Sequence, residues 1–154
     1  MPGGLKTAVP SKQTIPASSV KALDGDTVRI GDEKIRLLGI DTPEKANKDR
    51  FHGDQEPYAS MAEDHLRKLI KEAGEIQIRR LDKPDPYGRT LGYLYAGKRN
   101  LNAEMIRAGH AWETVSHYGP QGMKEEAAEI RKAWDEVDKP KFMLPHEWRK
   151  KNQR

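Results

Sequence analysis

Apolar residues along this chain switch between two spacings, and each switch marks an element. Val28 and Ile30 stand two apart before Gly31-Asp32, and Ile35 and Leu37 stand two apart after it. That is the period of two strands paired around a glycine-containing turn. On these strands Asp26 shares a face with Val28 and Ile30, whereas Arg36 lies on the face opposite Ile35 and Leu37. Pro43 ends the second strand, because it lacks an N–H and keeps Thr42 out of the helical region. Tyr58, Ala62, Leu66, Leu69, Ile70 and Ala73 then recur at helical spacing between Pro57 and Gly74, predicting a first helix. Residues 75–79 alternate as a strand, a loop over 81–88 with Pro84, Pro86 and Gly88 interrupts it, and 89–95 resumes as the next strand. Asn102 is expected to cap a short helix over 103–108 that Gly109 ends. Met123, Ala127, Ile130 and Trp134 mark the apolar face of a third helix, a stripe that reads as core packing.

Three stretches fall outside this pattern. Residues 1–17, with Gly3, Gly4, Pro10 and Pro16 and no period, read as a flexible tail. Residues 45–55 form a long charged loop beside the hairpin. Residues 138–154 read as a basic tail packed on the domain of 18–137, with Trp148 expected to anchor it to the sheet through its amphipathic ring.

Composition narrows the class. A chain of 154 residues, 35% apolar and 34% charged, is expected to form one domain with a modest core. There is no cysteine, so no disulfide or zinc–thiolate site is expected, and the redox compartment stays open. No stretch approaches the ~20 apolar residues of a membrane span. Residues 1–19 contain no continuous apolar core of signal-peptide type, which leaves a secreted mature form and an intracellular protein both open. A monomer is expected, since no long apolar stripe is left unexplained. The net charge of +4 is unevenly spread: 18–137 is slightly acidic, and the positive excess lies in the two ends. The basic C-terminal run is therefore a candidate for holding a polyanion, against the alternative of a solvated tail.

Candidate chemistry is concentrated between residues 24 and 44, where Asp24, Asp26, Arg36, Asp41 and Glu44 occur together. Two carboxylates at strand ends with a nearby carbonyl suit an oxygen-liking cation such as calcium. Arg36 offers a planar donor fork for phosphate, and Glu44 is a possible general base toward water. Any one of these residues reads equally well as a charged turn with Arg36 paired to an acid. The set together points to phosphodiester hydrolysis. His52, His65, His110, His117 and His146 are isolated in sequence, so neither a zinc site nor a histidine base is expected.

The segments V-K-A-L-D-G-D-T-V at 20–28 and I-R-L-L-G-I-D-T-P-E at 35–44 resemble the staphylococcal (micrococcal) nuclease, or thermonuclease, family. The likeness extends to D-P-Y-G-R at 85–89 with L-G-Y-L-Y at 91–95, and to L-N-A-E-M-I-R-A-G at 101–109. This resemblance implies an α+β, mainly β fold: a five-stranded oligonucleotide/oligosaccharide-binding (OB-fold) barrel with three helices. It also implies calcium-dependent cleavage of DNA and RNA, single-stranded or denatured forms favoured, with little sequence specificity, leaving 3′-phosphate and 5′-hydroxyl ends. By the same resemblance Asp26 and Asp41 would hold Ca2+ through carboxylates and Thr42 through its carbonyl, Glu44 would be the base, and Arg36 and Arg89 the phosphate-binding arginines. Tyr87 and, if the loop shifts by one residue, Tyr118 would contact the nucleotide, and Asp24 would tie the turn or a coordinated water. The chain departs from the family's best-known member in carrying Pro86 where that protein has a lysine, and Val115 and His117 at its two base-contacting tyrosines. The alternative reading is a non-catalytic nucleic-acid-binding or scaffold module on the same fold.

Overall fold

The structure is a computed structural model and describes residues 12–154. The alternating stretches pair as the pattern predicts. β3 (Thr27–Ile30) and β4 (Glu33–Leu37) run antiparallel with Val28 opposite Ile35 and Thr27 opposite Arg36, and Gly31 turns between them at φ +58°. β4 lies parallel to β7 (Thr90–Ala96), which pairs antiparallel with β6 (Glu75–Arg80).

The barrel closes through one bent strand. β1 (Gln13–Pro16) pairs with β6, and β2 (Lys21–Ala22) pairs with β3. These two ends of the strand order are joined by the single 3-10 turn Ala17–Ser19, so the sheet curls back on itself with five strand lines. The barrel thus begins at Gln13, inside the stretch read as a flexible tail. Pro16 is compatible with it as the last residue of a short edge pairing, and residues 1–11 of that tail lie outside the described residues. A short β8 (Arg99–Asn100) extends β7, and β5 (Ile40–Asp41) forms a separate ribbon with β9 (Trp112–Glu113).

Helices pack against the barrel and share its core. The three expected ones are α1 (Tyr58–Ala73), α2 (Leu101–Arg107) and α4 (Lys124–Asp135); α3 (Val115–Tyr118) and α5 (Pro145–Asn152) were not anticipated. The cap of α2 is Asn100, whose side chain accepts a hydrogen bond from Ala103 N, rather than Asn102. Asn102 is fully buried and spent elsewhere: its amide donates to Leu38 O and Gly92 O, and its oxygen accepts from Leu94 N. It therefore ties α2 to β7 and to Leu38, just past the end of β4.

The core is continuous from barrel to helices. Val28, Ile35, Leu37, Ile76, Ile78 and Leu94 are fully shielded, as are Leu66 of α1, Met105 and Ile106 of α2 and Ile130 of α4. Gly39 allows the turn that leads from β4 into β5: its φ is +82°, and a Cβ there would stand 2.9 Å from both Ile130 Cγ1 and Tyr93 Oη. That turn delivers Asp41 to the end of the barrel.

Candidate active site

The acidic residues meet where the β2–β3 turn approaches the strand that follows Gly39. Asp26 Oδ2 accepts a hydrogen bond from Thr42 N (3.1 Å) and Asp26 Oδ1 accepts one from the Thr27 hydroxyl (3.2 Å). Asp24 closes the turn by accepting from Asp26 N at 2.9 Å. The approach is possible because Gly25 lies between α1 and Thr42, with no room for a side chain. Arg36, opposite Thr27 in the ladder, folds back over this turn. Its Nη2 is 3.3 Å from Asp26 Oδ2 and 3.7 Å from Asp41 Oδ1, and the guanidinium also donates to the carbonyls of Leu37 and Ile40. Two carboxylates, one from the β2–β3 turn and one from β5, thus converge on one cationic nitrogen.

Burial sets the charges. It pushes Asp24 up to about 8, reinforced by the neighbouring Asp26. Burial also works to raise Asp26, but the Arg36 guanidinium, with the bonds from Asp24 and Thr42, holds that carboxylate below its usual range. Asp24 keeps a proton that Asp26 gives up. Glu44 is raised, first by burial and further by Asp26 and Asp41, while Arg149 opposes the shift.

Arg149 is the site residue that sequence reasoning missed. It lies on α5, more than one hundred positions from the acids, and no spacing signals the contact. Its Nη1 and Nη2 reach Asp41 Oδ1 and Oδ2, each at 3.1 Å, and Nη1 also reaches Glu44 Oε1 at 2.9 Å. Although burial works against its charge, these two carboxylates raise its pKa, so it is a permanent cation. The 45–55 loop holds α5 in place. Phe51, buried in that loop, meets the Trp148 ring edge-on at 5.3 Å, His52 N donates to Asn152 O, and Arg154 N donates to Arg50 O. Trp148 therefore anchors the tail to the loop instead of to the sheet. Gln55, also buried, accepts from Glu44 N and donates to Met143 O, fastening the Glu44 backbone to the C-terminal segment.

Two adjoining cavities, of about 980 and 750 Å³, flank the acids. Arg36, Arg89, Tyr118 and Arg149 line both. Arg89 sits between the 81–88 loop and β7 and is held there by Asp85 (Nε to Oδ2, 2.7 Å). Tyr87 is 83% exposed beneath the Arg89 guanidinium, and Tyr118 is 57% exposed on α3. Val115 packs against the core, whereas His117 faces the larger cavity beside His146, 6.0 Å away between ring centres.

Among the described residues, no three His, Cys, Asp or Glu side chains are grouped to hold a metal ion. The donor chemistry still fits a hard cation. Asp26 and Asp41 already enclose a positive nitrogen with carboxylate oxygens, Asp41 and Glu44 enclose a second, and soft or imidazole donors do not contribute. An ion on two carboxylates and a carbonyl would complete its shell with water or phosphate oxygens.

Comparison with known proteins points to one family. The model of the family described as staphylococcal nuclease homologue matches residues 34–144. The thermonuclease of Staphylococcus intermedius is 33% identical over 96 residues, which are 59% of this chain and 55% of that protein. An uncharacterized endonuclease of Haemophilus influenzae is 34% identical over 98 residues, 60% of this chain and 49% of that one. The SPbeta prophage-derived endonuclease YokF of Bacillus subtilis is 26% identical over 126 residues, 75% of this chain and 41% of that one. The chain spans about half the length of the relatives it matches. Asp24, Asp26 and the whole of α5 lie outside the segment matched to the family. With a five-stranded barrel, its helices and a match across most of its length, the chain belongs to the staphylococcal nuclease homologue family.

Proposed function

We propose that this chain is a divalent-cation-dependent nuclease that hydrolyses phosphodiester bonds of DNA and RNA, with calcium as its ion and 3′-phosphate and 5′-hydroxyl products. The observation that carries this reading is the convergence of Asp26 and Asp41 on one Arg36 nitrogen, at 3.3 and 3.7 Å, with Glu44 beside them. Family membership and the nuclease names of the relatives support it.

In this mechanism Asp26, Asp41 and the Thr42 carbonyl would hold the ion, whose chemistry is to polarise and neutralise the scissile phosphate. Glu44 accepts the proton of the attacking water. Its burial raises its basicity toward the working pH, as a general base requires. Arg36 and Arg89 neutralise charge that develops on the phosphoryl oxygens and the departing 5′-oxygen. Arg89 exchanges Asp85 for phosphate as substrate enters the cavity it lines. Tyr87 and Tyr118 flank the strand, a role tolerant of base identity. Asp24 fixes the turn by holding Asp26 N.

A second reading, a nucleic-acid-binding module without catalysis, is favoured by one observation: Asp41 and Glu44 are already paired with Arg149. End-group analysis separates the two. RNA and heat-denatured DNA incubated with the chain and calcium should yield fragments that a 3′-phosphatase can trim and that a kinase labels at the 5′ end without prior dephosphorylation. Binding without fragments supports the module.

A further inference from the structure

We propose that Arg149 is a third phosphate-binding arginine of this site, for which Asp41 and Glu44 are the partners at rest. The inference rests on the nuclease reading and extends it to a residue that lies beyond the segment matched to the family. Position is the first argument. Arg149 shares with Arg36 and Arg89 the lining of both cavities, so a strand running from one cavity to the other passes all three guanidinium groups. The second argument is shape. Arg149 engages both oxygens of Asp41 with two separate nitrogens, 3.1 Å each, and a planar fork that matches a carboxylate in this way also matches two oxygens of a phosphodiester.

Charge supplies the third argument. Asp41 cannot keep both of its oxygens on a guanidinium and also receive a divalent ion beside it without placing like charges in close contact. With an ion held there, Asp41 would release the Arg149 fork. The released side chain stays at the site, because α5 is fastened by the Trp148–Phe51 ring contact and by the backbone bonds from His52 to Asn152 and from Arg154 to Arg50. A permanent cation displaced from a carboxylate into a cavity that admits a polyanion has the phosphate as its natural acceptor.

The test is equilibrium binding of a fluorescent, cleavage-resistant phosphorothioate oligothymidylate in calcium, followed by anisotropy, together with calorimetric titration of calcium into the free protein. Arg149→Gln should weaken oligonucleotide binding by about 10–100-fold. Arg149→Lys, which keeps the charge but not the fork, should fall between it and the unaltered chain. Lys151→Gln removes the same charge from an exposed position on the same helix and should change affinity less than about threefold. Calcium affinity of Arg149→Gln should be unchanged or higher. The inference is overturned if Arg149→Gln binds the oligonucleotide like the unaltered chain while calcium binds more tightly, since Arg149 is then only a counter-ion. It is equally overturned if Lys151→Gln weakens binding as much as Arg149→Gln. Unaltered protein that cuts nucleic acid normally in either case leaves the nuclease reading standing. An unaltered chain that neither cuts nor binds defeats that reading and this inference together.

Discussion

Gly25 shows how a single residue can set the site. A Cβ at this position would stand 2.8 Å from Ala62 Cβ and 2.9 Å from Thr42 Cβ and Oγ1, so Gly25→Ala must push the Asp24–Asp26 turn away from Thr42. A cost of about 1–3 kcal/mol is expected from such overpacking, measurable by urea denaturation. Loss of the Thr42–Asp26 bond should accompany it as weaker calcium binding. Arg36→Ala removes a guanidinium that bonds two carbonyls and faces two carboxylates, and it should lower kcat by about 10²–10³. Near-full activity of that variant would remove Arg36 from the mechanism. The residues brought together here were legible because they sit in one short stretch: Asp24, Asp26, Arg36, Asp41 and Glu44 are separated only by strand and turn. Arg149 and Gln55 were not, because their contacts depend on where a later helix and a loop end in space. Asn102 was misread as a cap for a related reason: an asparagine at a helix start looks the same in sequence whether it bonds its own helix or the barrel.

At the scale of elements, α1 and the segment after α2 meet through two histidines that the sequence presents as isolated. His65 and His110 lie 4.8 Å apart between ring centres. Burial first, then Lys68, lowers the pKa of His65 against the weaker pull of Glu104 and Glu72; burial first, then His65, lowers that of His110. As pH falls below the ordinary histidine value of ~6.5, the unfolded chain takes up protons that the folded chain resists. Stability is thus full above that value and declines as pH falls toward the folded pKa values. The pair's contribution to the thermal midpoint should shrink between pH 7 and 5, opposed by the raised carboxyl of Asp24, and the doubly substituted His65→Gln, His110→Gln chain should lose less on acidification than the unaltered chain. Equal slopes would exclude the pair as a source of acid sensitivity. The strands β3, β4, β6 and β7 and the long helices were readable from period alone. α3 and α5 were not, since a four-residue helix is shorter than any window that reveals a period, and α5 is too polar to display a face. The pairing of α5 with the 45–55 loop makes a further prediction: Trp148→Ala should increase amide exchange in both segments together while leaving the barrel strands protected.

Over the whole molecule, the uneven charge acquires a place. Residues 18–137 carry a slight acidic excess, but Lys139 and Lys150 from the basic C-terminal stretch line the larger cavity alongside Arg131. A single strand bound there would release counterions in proportion to the phosphates neutralised. Changing Lys139 and Lys150 together to Gln should reduce the magnitude of the slope of log K against log salt by about 1. An unchanged slope would mean that these lysines are solvated and do not touch the substrate. The barrel was expected from family likeness, and alternation marked four of its strands. Its closure through the bent strand at residues 13–22 was hidden, because Pro10, Pro16 and the polar residues near them look like the start of a tail.

The most direct test of the account compares cleavage of single-stranded DNA by the unaltered chain and by Glu44→Gln, in calcium and in chelator, with circular dichroism confirming that both are folded. The account predicts cutting by the unaltered chain in calcium alone, and a loss of about 10²–10⁴ in rate for Glu44→Gln with oligonucleotide binding retained. Cutting that persists at the full rate in chelator, or a Glu44→Gln chain as active as the unaltered one, would contradict it.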